Sequence, residues 1–206
     1  MPDVTFLLQG DRLMLQNNQT ANPRNKYARR LKDLNTKKKG KTADVDAILD
    51  QMALVEFEAC LYLNDKGKVV IPAENIRAAL IEGAKLSRGG APCKRYCSVM
   101  RDAVLDYDGP KTLKGLLKDD RFHYESLVKV NGKMIPKTRA VFYDWSAEIT
   151  ITYMQDEMDE DAIIKYITDA GMYTGIGASR GWGWGRFDVS VADSNGKYRM
   201  NSAAAK

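Results

Sequence analysis

One histidine, three cysteines and no long apolar run: these shortages remove several classes of function before any motif is read. With His123 as its single histidine, the chain has little material for a histidine-based triad or a multi-histidine metal centre. Cys60, Cys93 and Cys97 have no second Cys/His pair to complete a zinc site, and an odd number of thiols argues against a secreted disulfide framework. No stretch approaches the roughly 18 apolar residues of a membrane span. The N-terminal MPDVTFLLQGDRLML lacks the basic start and continuous apolar stretch of a signal peptide. The expectation is a cytoplasmic protein with no metal, no cofactor and no membrane partner.

Enzyme motifs are missing as well. There is no Gly-x-Ser-x-Gly elbow. GIGASRG, residues 175–181, is not followed by Gly-Lys-Ser/Thr and comes after a helical pattern rather than a strand, so neither a P-loop nor a dinucleotide fold is expected. Asp156, Glu157, Asp159, Glu160 and Asp161 gather at a helix start, where compensation of the helix dipole accounts for them. The expected protein is not an enzyme.

What the chain does have is charge in one place. Its 206 residues carry a net +5, with 44% hydrophobic and 29% charged residues, a globular composition. Between residues 21 and 42 stand Arg24, Lys26, Arg29, Arg30, Lys32, Lys37, Lys38, Lys39 and Lys41 against Asp33, a net of +8. The remainder of the chain therefore sums to −3. A single block holding the whole positive excess fits an electrostatic footprint for a polyanion, most often nucleic acid. A solvated basic loop is the alternative.

The pattern along the chain predicts strands at 3–9, 56–64, 68–71, 126–130, 134–135, 145–153 and 187–192. It predicts helices at 25–34, from a Thr42 cap to about 55, at 73–86, at 112–117 and at 156–170. Residues 96–107 read as extended, Asn131-Gly132 as a hairpin turn, and KYRMNSAAAK as a polar tail. The expected fold is α+β: a ferredoxin-like core with a basic helical insertion and a C-terminal glycine-rich loop. Residues 1–200 would form one domain with an insertion at about 17–55, and 201–206 a tail.

That loop is TGIGASRGWGWGRF, residues 174–187. Glycine lets a backbone come close to a ligand and uncovers N–H donors. Trp182, Trp184 and Tyr173 are candidate faces for base stacking, with Arg180, Arg186 and Arg139 as added charge. The tryptophans also alternate with glycine as strand residues do, so core packing is open for one or both. Trp182 is the one expected to be more exposed.

The run Gly175-Ile176-Gly177 with Gly183-Trp184-Gly185-Arg186-Phe187, between a helix and a final strand, resembles the RAMP superfamily. Its members are ferredoxin-like (RNA-recognition-motif-like) proteins of CRISPR RNA-processing and effector complexes. IPAENIRAALIEGAK resembles the strand–helix element of their backbone subunits, with Arg77 early in the helix. The chain is also similar to an uncharacterised phage protein family that shares the glycine loop, whose Arg-Pro is Arg180-Gly181 here. The first resemblance implies binding along single-stranded RNA or DNA by several copies side by side, as an oligomer or filament. The second implies a phage origin and hence the host cytoplasm.

Together these readings give a non-catalytic binder of single-stranded nucleic acid. Its expected contacts are Arg29, Arg30, Lys37, Lys38, Lys39, Lys41, Arg77, Arg139, Arg180, Trp182, Trp184 and Arg186. Two alternatives stand beside it. One is a metal-independent RNA-processing endonuclease using His123 or a tyrosine near the loop. The other is a phage anti-defence protein that acts by protein–protein mimicry.

Overall fold

The structure, a computed structural model, describes residues 1–15, 18–40, 42–130, 132–193 and 196–200. The chain divides into two compact units. The first is built from Met1–Met14, Asn64–Asp108 and the chain from Phe142 on; the second from Leu15–Leu63 and Gly109–Val141.

The first unit is an antiparallel sheet with helices. Its strands are β1 (Asp3–Leu15), β2 (Val70–Ile71), β3 (Cys97–Ser98) and β4 (Ala103–Asp106), the later part of β6 (Lys133–Tyr153), then β7 (Asp188–Ala192) and β8 (Tyr198–Met200). Their order is β2-β4-β6-β1-β7-β8, with β3 also on β6. Thr152 Oγ1 donates to Asp3, Thr5 bonds Thr150, and Tyr153 N donates to Pro2 O, so β1 and β6 run antiparallel. Helices α3 (Ala73–Leu86) and α6 (Glu160–Asp169) pack against each other. The succession β1–α3–β4–β6–α6–β7 with neighbours β4-β6-β1-β7 is compatible with a ferredoxin-like arrangement.

Alternation builds its core. Val4, Phe6 and Leu8 of β1 and Ala147, Ile149 and Ile151 of β6 are buried, as are Ile76, Leu80 and Ala84 of α3 and Ile163 and Ile167 of α6. Each fully buried large side chain contributes roughly 1.5–3 kcal/mol. The helices meet closely at Gly83, where a Cβ would lie 2.1 Å from the Tyr166 carbonyl oxygen.

The second unit holds the insertion and the short helix α5 (Leu113–Leu116). Helix α1 (Lys26–Lys37) packs on α2 (Val45–Cys60) through Tyr27, Leu34, Val55 and Ala59, with Leu31, Ile48 and Met52 around them. Strand β5 (His123–Val130) pairs with the first part of β6, Leu127 opposite Pro136 and Val130 opposite Lys133, as a two-residue turn requires. Asn131 of the expected turn lies outside the described residues, as do Lys41 and the expected tail 201–206.

Several elements differ from expectation. Residues 56–60 are not a strand but the last turns of α2. The short returning strand β2 therefore pairs with β4 instead, Val70 opposite Val104. A helix the sequence did not announce, α4 (Gly90–Tyr96), follows α3; its Pro92 sits in the first turn, where no N–H is needed. Tyr198–Met200, read as tail, adds β8 beside β7. Thr42 is not the cap of α2: Asp44 is, its carboxylate accepting from Ala47 N at 3.1 Å. Asp44→Ala is expected to cost about 1 kcal/mol in urea unfolding, the usual loss for an N-cap.

Candidate nucleic-acid interface

The glycine loop belongs to the first unit and is braced at its base. Gly175 N donates to Ala170 O at 2.7 Å, Ile176 N to Gly185 O at 2.8 Å, Gly185 N to Arg12 O at 2.7 Å and Ala178 N to Met14 O at 2.8 Å. Ile176 and Phe187 are buried at the two ends. Gly185 is needed twice over: its φ is +72°, and a Cβ would stand 1.8 Å from the Ile176 carbonyl oxygen. Gly177 is similar, with φ +84° and the Met14 carbonyl oxygen 2.5 Å from a Cβ.

The tip beyond this base is open. Arg180, Gly181, Trp182 and Gly183 are exposed, Trp182 at 86%. Trp184 is half-buried, with the Arg12 guanidinium 5.2 Å from its ring centroid in cation–π range. The loop thus displays one indole outward and holds the other beneath an arginine. Arg186 differs from expectation: it is half-buried, and its Nη1 is sealed from water with no hydrogen-bond partner among the described residues. Tyr173 is exposed.

Arg77 is half-buried and occupied, its Nη2 donating to Lys94 O at 2.6 Å and its Nε to Cys97 O at 3.4 Å, where α4 ends. Its geometry is that of a brace for α4.

The outer face of the sheet in this unit is largely polar at its described positions. RNA-recognition-motif sheets stack bases on aromatic side chains. Here the outward positions carry Asp3, Thr5, Glu148, Thr150 and Thr152, and the hollow they line also takes in Asp102. The Tyr198 hydroxyl donates to Glu148; burial, then this carboxylate, push its pKa up to about 12. Carboxylates on that face repel phosphate, and Arg101, which lines the same hollow, offsets part of their charge.

In the second unit, α1 carries the positive charge. Arg29, Lys32, Lys37 and Lys39 are exposed and Lys38 is half-buried. Arg30 is partly neutralised: its Nη1 lies 2.8 Å from Glu58 Oε2, which also fixes α1 to α2. Arg139 is half-buried, with Nη1 donating to Ser126 Oγ at 3.1 Å across the β5/β6 pair. The structure thus brings Arg29, Arg30, Lys37, Lys38 and Lys39 onto one helix and its C-terminal end. Arg12 and Lys137 were not singled out from the sequence, and Lys32 was counted in the basic block but not among the expected contacts.

His123 is tied into packing. Its ring centroid lies 3.9 Å from that of Phe57, and its Nε2–H donates to Leu116 O at 3.0 Å. A ring held this way by a backbone carbonyl has its tautomer set by a structural contact. Among the described residues no group of three His, Cys, Asp or Glu is placed to hold a metal ion. No described helix is long and apolar enough to cross a membrane.

No family model matches the chain, and no curated protein matches it. Solved structures do match. A chain of the Type III-B Cmr-beta complex bound to cognate target RNA, determined by cryo-EM, matches over 92% of this chain at 10% identity, with a TM-score of 0.43. This chain spans 60% of that one. At such similarity no residue-by-residue correspondence follows.

Proposed function

We propose that the protein binds single-stranded nucleic acid without catalysis, neutralising phosphates with α1 and stacking a base on the glycine loop. The observation that carries the reading is Trp182. A large apolar ring is 86% exposed at the tip of a loop whose base is fixed by backbone hydrogen bonds, with Arg180 two residues away. Holding such a ring in water has no value for folding, whereas a loop already braced at its base leaves less backbone to order when a base stacks on the ring. The lysines of α1 supply the sequence-independent phosphate attraction that such binding needs.

Trp182→Ala is expected to leave thermal unfolding unchanged. It should weaken binding of a labelled single strand about 5- to 100-fold, the effect of losing one stacked base. Filter binding with RNA and DNA strands checks this, and unchanged affinity for both would remove the loop from the interface. Purification at low salt, followed by RNase or DNase treatment of the bound material, identifies the natural strand. Side-by-side coating, which the RAMP resemblance adds to the proposal, is checked by sedimentation on strands of increasing length.

A further inference from the structure

The second unit contains a trough that the basic block does not by itself account for. One end is a cleft of about 580 Å³ with a largely apolar lining: Leu31 from α1; Leu49, Met52 and Ala53 from α2; and Ile135 and Pro136 from β6. The other end is a hollow of about 520 Å³ lined by Lys32, Lys39 and Lys137, with Asn35, Thr36 and Thr20 beside them. The two share Leu31, Asn35 and Lys137, so they are the ends of one depression. The sequence builds it by periodicity. Positions 28, 31, 32, 35, 36 and 39 recur at intervals of three and four along α1 and onto the turn that follows it, and 49, 52, 53 and 56 do so along α2.

Charge gives the trough a direction. Lys32 and Lys39 pair with no carboxylate among the described residues, whereas Lys137 is bound to Glu56. At the apolar end stand Asp50 and Glu125, which repel phosphate but accept hydrogen bonds, together with Lys38. A ligand with an anionic group at one end and a flat, weakly polar ring bearing N–H donors at the other complements both ends. The volume of the apolar end lies within the range of small-ligand pockets.

We infer that the trough seats one nucleotide of the bound strand. Its phosphate lies at Lys32 and Lys39, and its base, taken out of the stack, lies among Leu49, Met52, Ala53 and Ile135. This rests on the strand-binding reading and deepens it, adding a base pocket to an interface otherwise made of phosphate contacts and one exposed ring. The carboxylates favour bases with an exocyclic amino group, adenine, cytosine or guanine, over uracil or thymine.

The test compares a labelled oligoadenylate of about 12 nucleotides with an abasic phosphodiester strand of equal length. It uses the 206-residue chain carrying Trp182→Ala, so that stacking at the loop does not contribute. The base-bearing strand is expected to bind about 10-fold tighter, in line with recognition of an unstacked base. Ala53→Leu, which fills the cleft with a helix-favouring residue, should bring the two strands within about twofold while leaving the salt dependence unchanged. Leu49 is 39% exposed, so Leu49→Glu provides a second variant that keeps its fold, checked by circular dichroism, and it should act in the same way. Equal affinity for both strands before substitution, or a preference that survives in both folded variants, overturns the pocket alone. Absence of any strand binding by the protein with Trp182 in place overturns the strand-binding reading and the pocket with it. Tighter binding of adenosine monophosphate than of the strand would make the trough a free-nucleotide site and overturn its assignment to the strand.

Discussion

Gly185→Ala is expected to lower stability by roughly 2–4 kcal/mol, the sum of forcing a side chain into left-handed backbone and displacing a carbonyl. At φ +72° the new Cβ would stand 1.8 Å from the Ile176 carbonyl oxygen, the atom of a buried residue. The Ile176 segment has to move, and with it go the bonds from Ile176 N to Gly185 O and from Gly185 N to Arg12 O. In a chain of this size the melting temperature should fall by about 5–15 °C. Gly181→Ala is the matched comparison: nothing lies within 4 Å of a Cβ there, and the change is expected to stay within about 0.5 kcal/mol. If urea unfolding shows equal effects for the two, the base of the loop is not braced as described.

The second large effect concerns charge. Replacing Lys37, Lys38 and Lys39 together by alanine should lower affinity for single strands about 10- to 1,000-fold at low salt, through the loss of up to three phosphate contacts. The slope of log K against log salt should shrink by up to about 2, since each contact on a single strand contributes about 0.7. Lys37 and Lys39 are exposed and Lys38 is half-buried, so unfolding by urea should change little. Unchanged affinity and slope would mean that the phosphates run elsewhere.

The parts of this fold that could be read in the sequence were those buried on one side. In α3, Ile76, Leu80 and Ala84 recur at helical spacing because a single face is covered, and residues 145–153 alternate because one side of the sheet faces water. The end of α2 misled for the opposite reason. Val55 and Ala59 face α1, Phe57 meets His123, and Cys60 Sγ donates to Thr138 O, so the helix is enclosed on several sides and its period disappears. Phe57, Ala59 and Leu61 then happen to alternate like a strand. Helix α4 was hidden behind Gly-Gly-Ala-Pro, which reads as a breaker until Pro92 is seen to occupy a first turn.

The interface was legible to the same extent. A charge block needs no partner to be noticed, so the α1 cations stood out at once. Arg12 did not, because the ring it covers is Trp184, far along the chain. Lys137 did not, because what brings it beside α1 is the meeting of β6 with the two helices. Arg77 was included through the resemblance of its helix and Arg186 for its charge, but their surroundings in the fold differ: one is engaged by carbonyl oxygens and the other has a sealed Nη1.

The depths of the tryptophans have a spectroscopic consequence. Trp145 is 1% exposed, Trp184 is half-buried beneath Arg12, and Trp182 is 86% exposed. Indole emission shifts to longer wavelength as its surroundings become more polar, so these three residues divide the fluorescence of the protein by depth. Acrylamide should remove the red edge first, which belongs to Trp182, and leave the blue component of Trp145 last. A ligand that covers the loop tip would protect the red edge while the blue one stays still, so the unlabelled protein carries its own reporter of where it is touched.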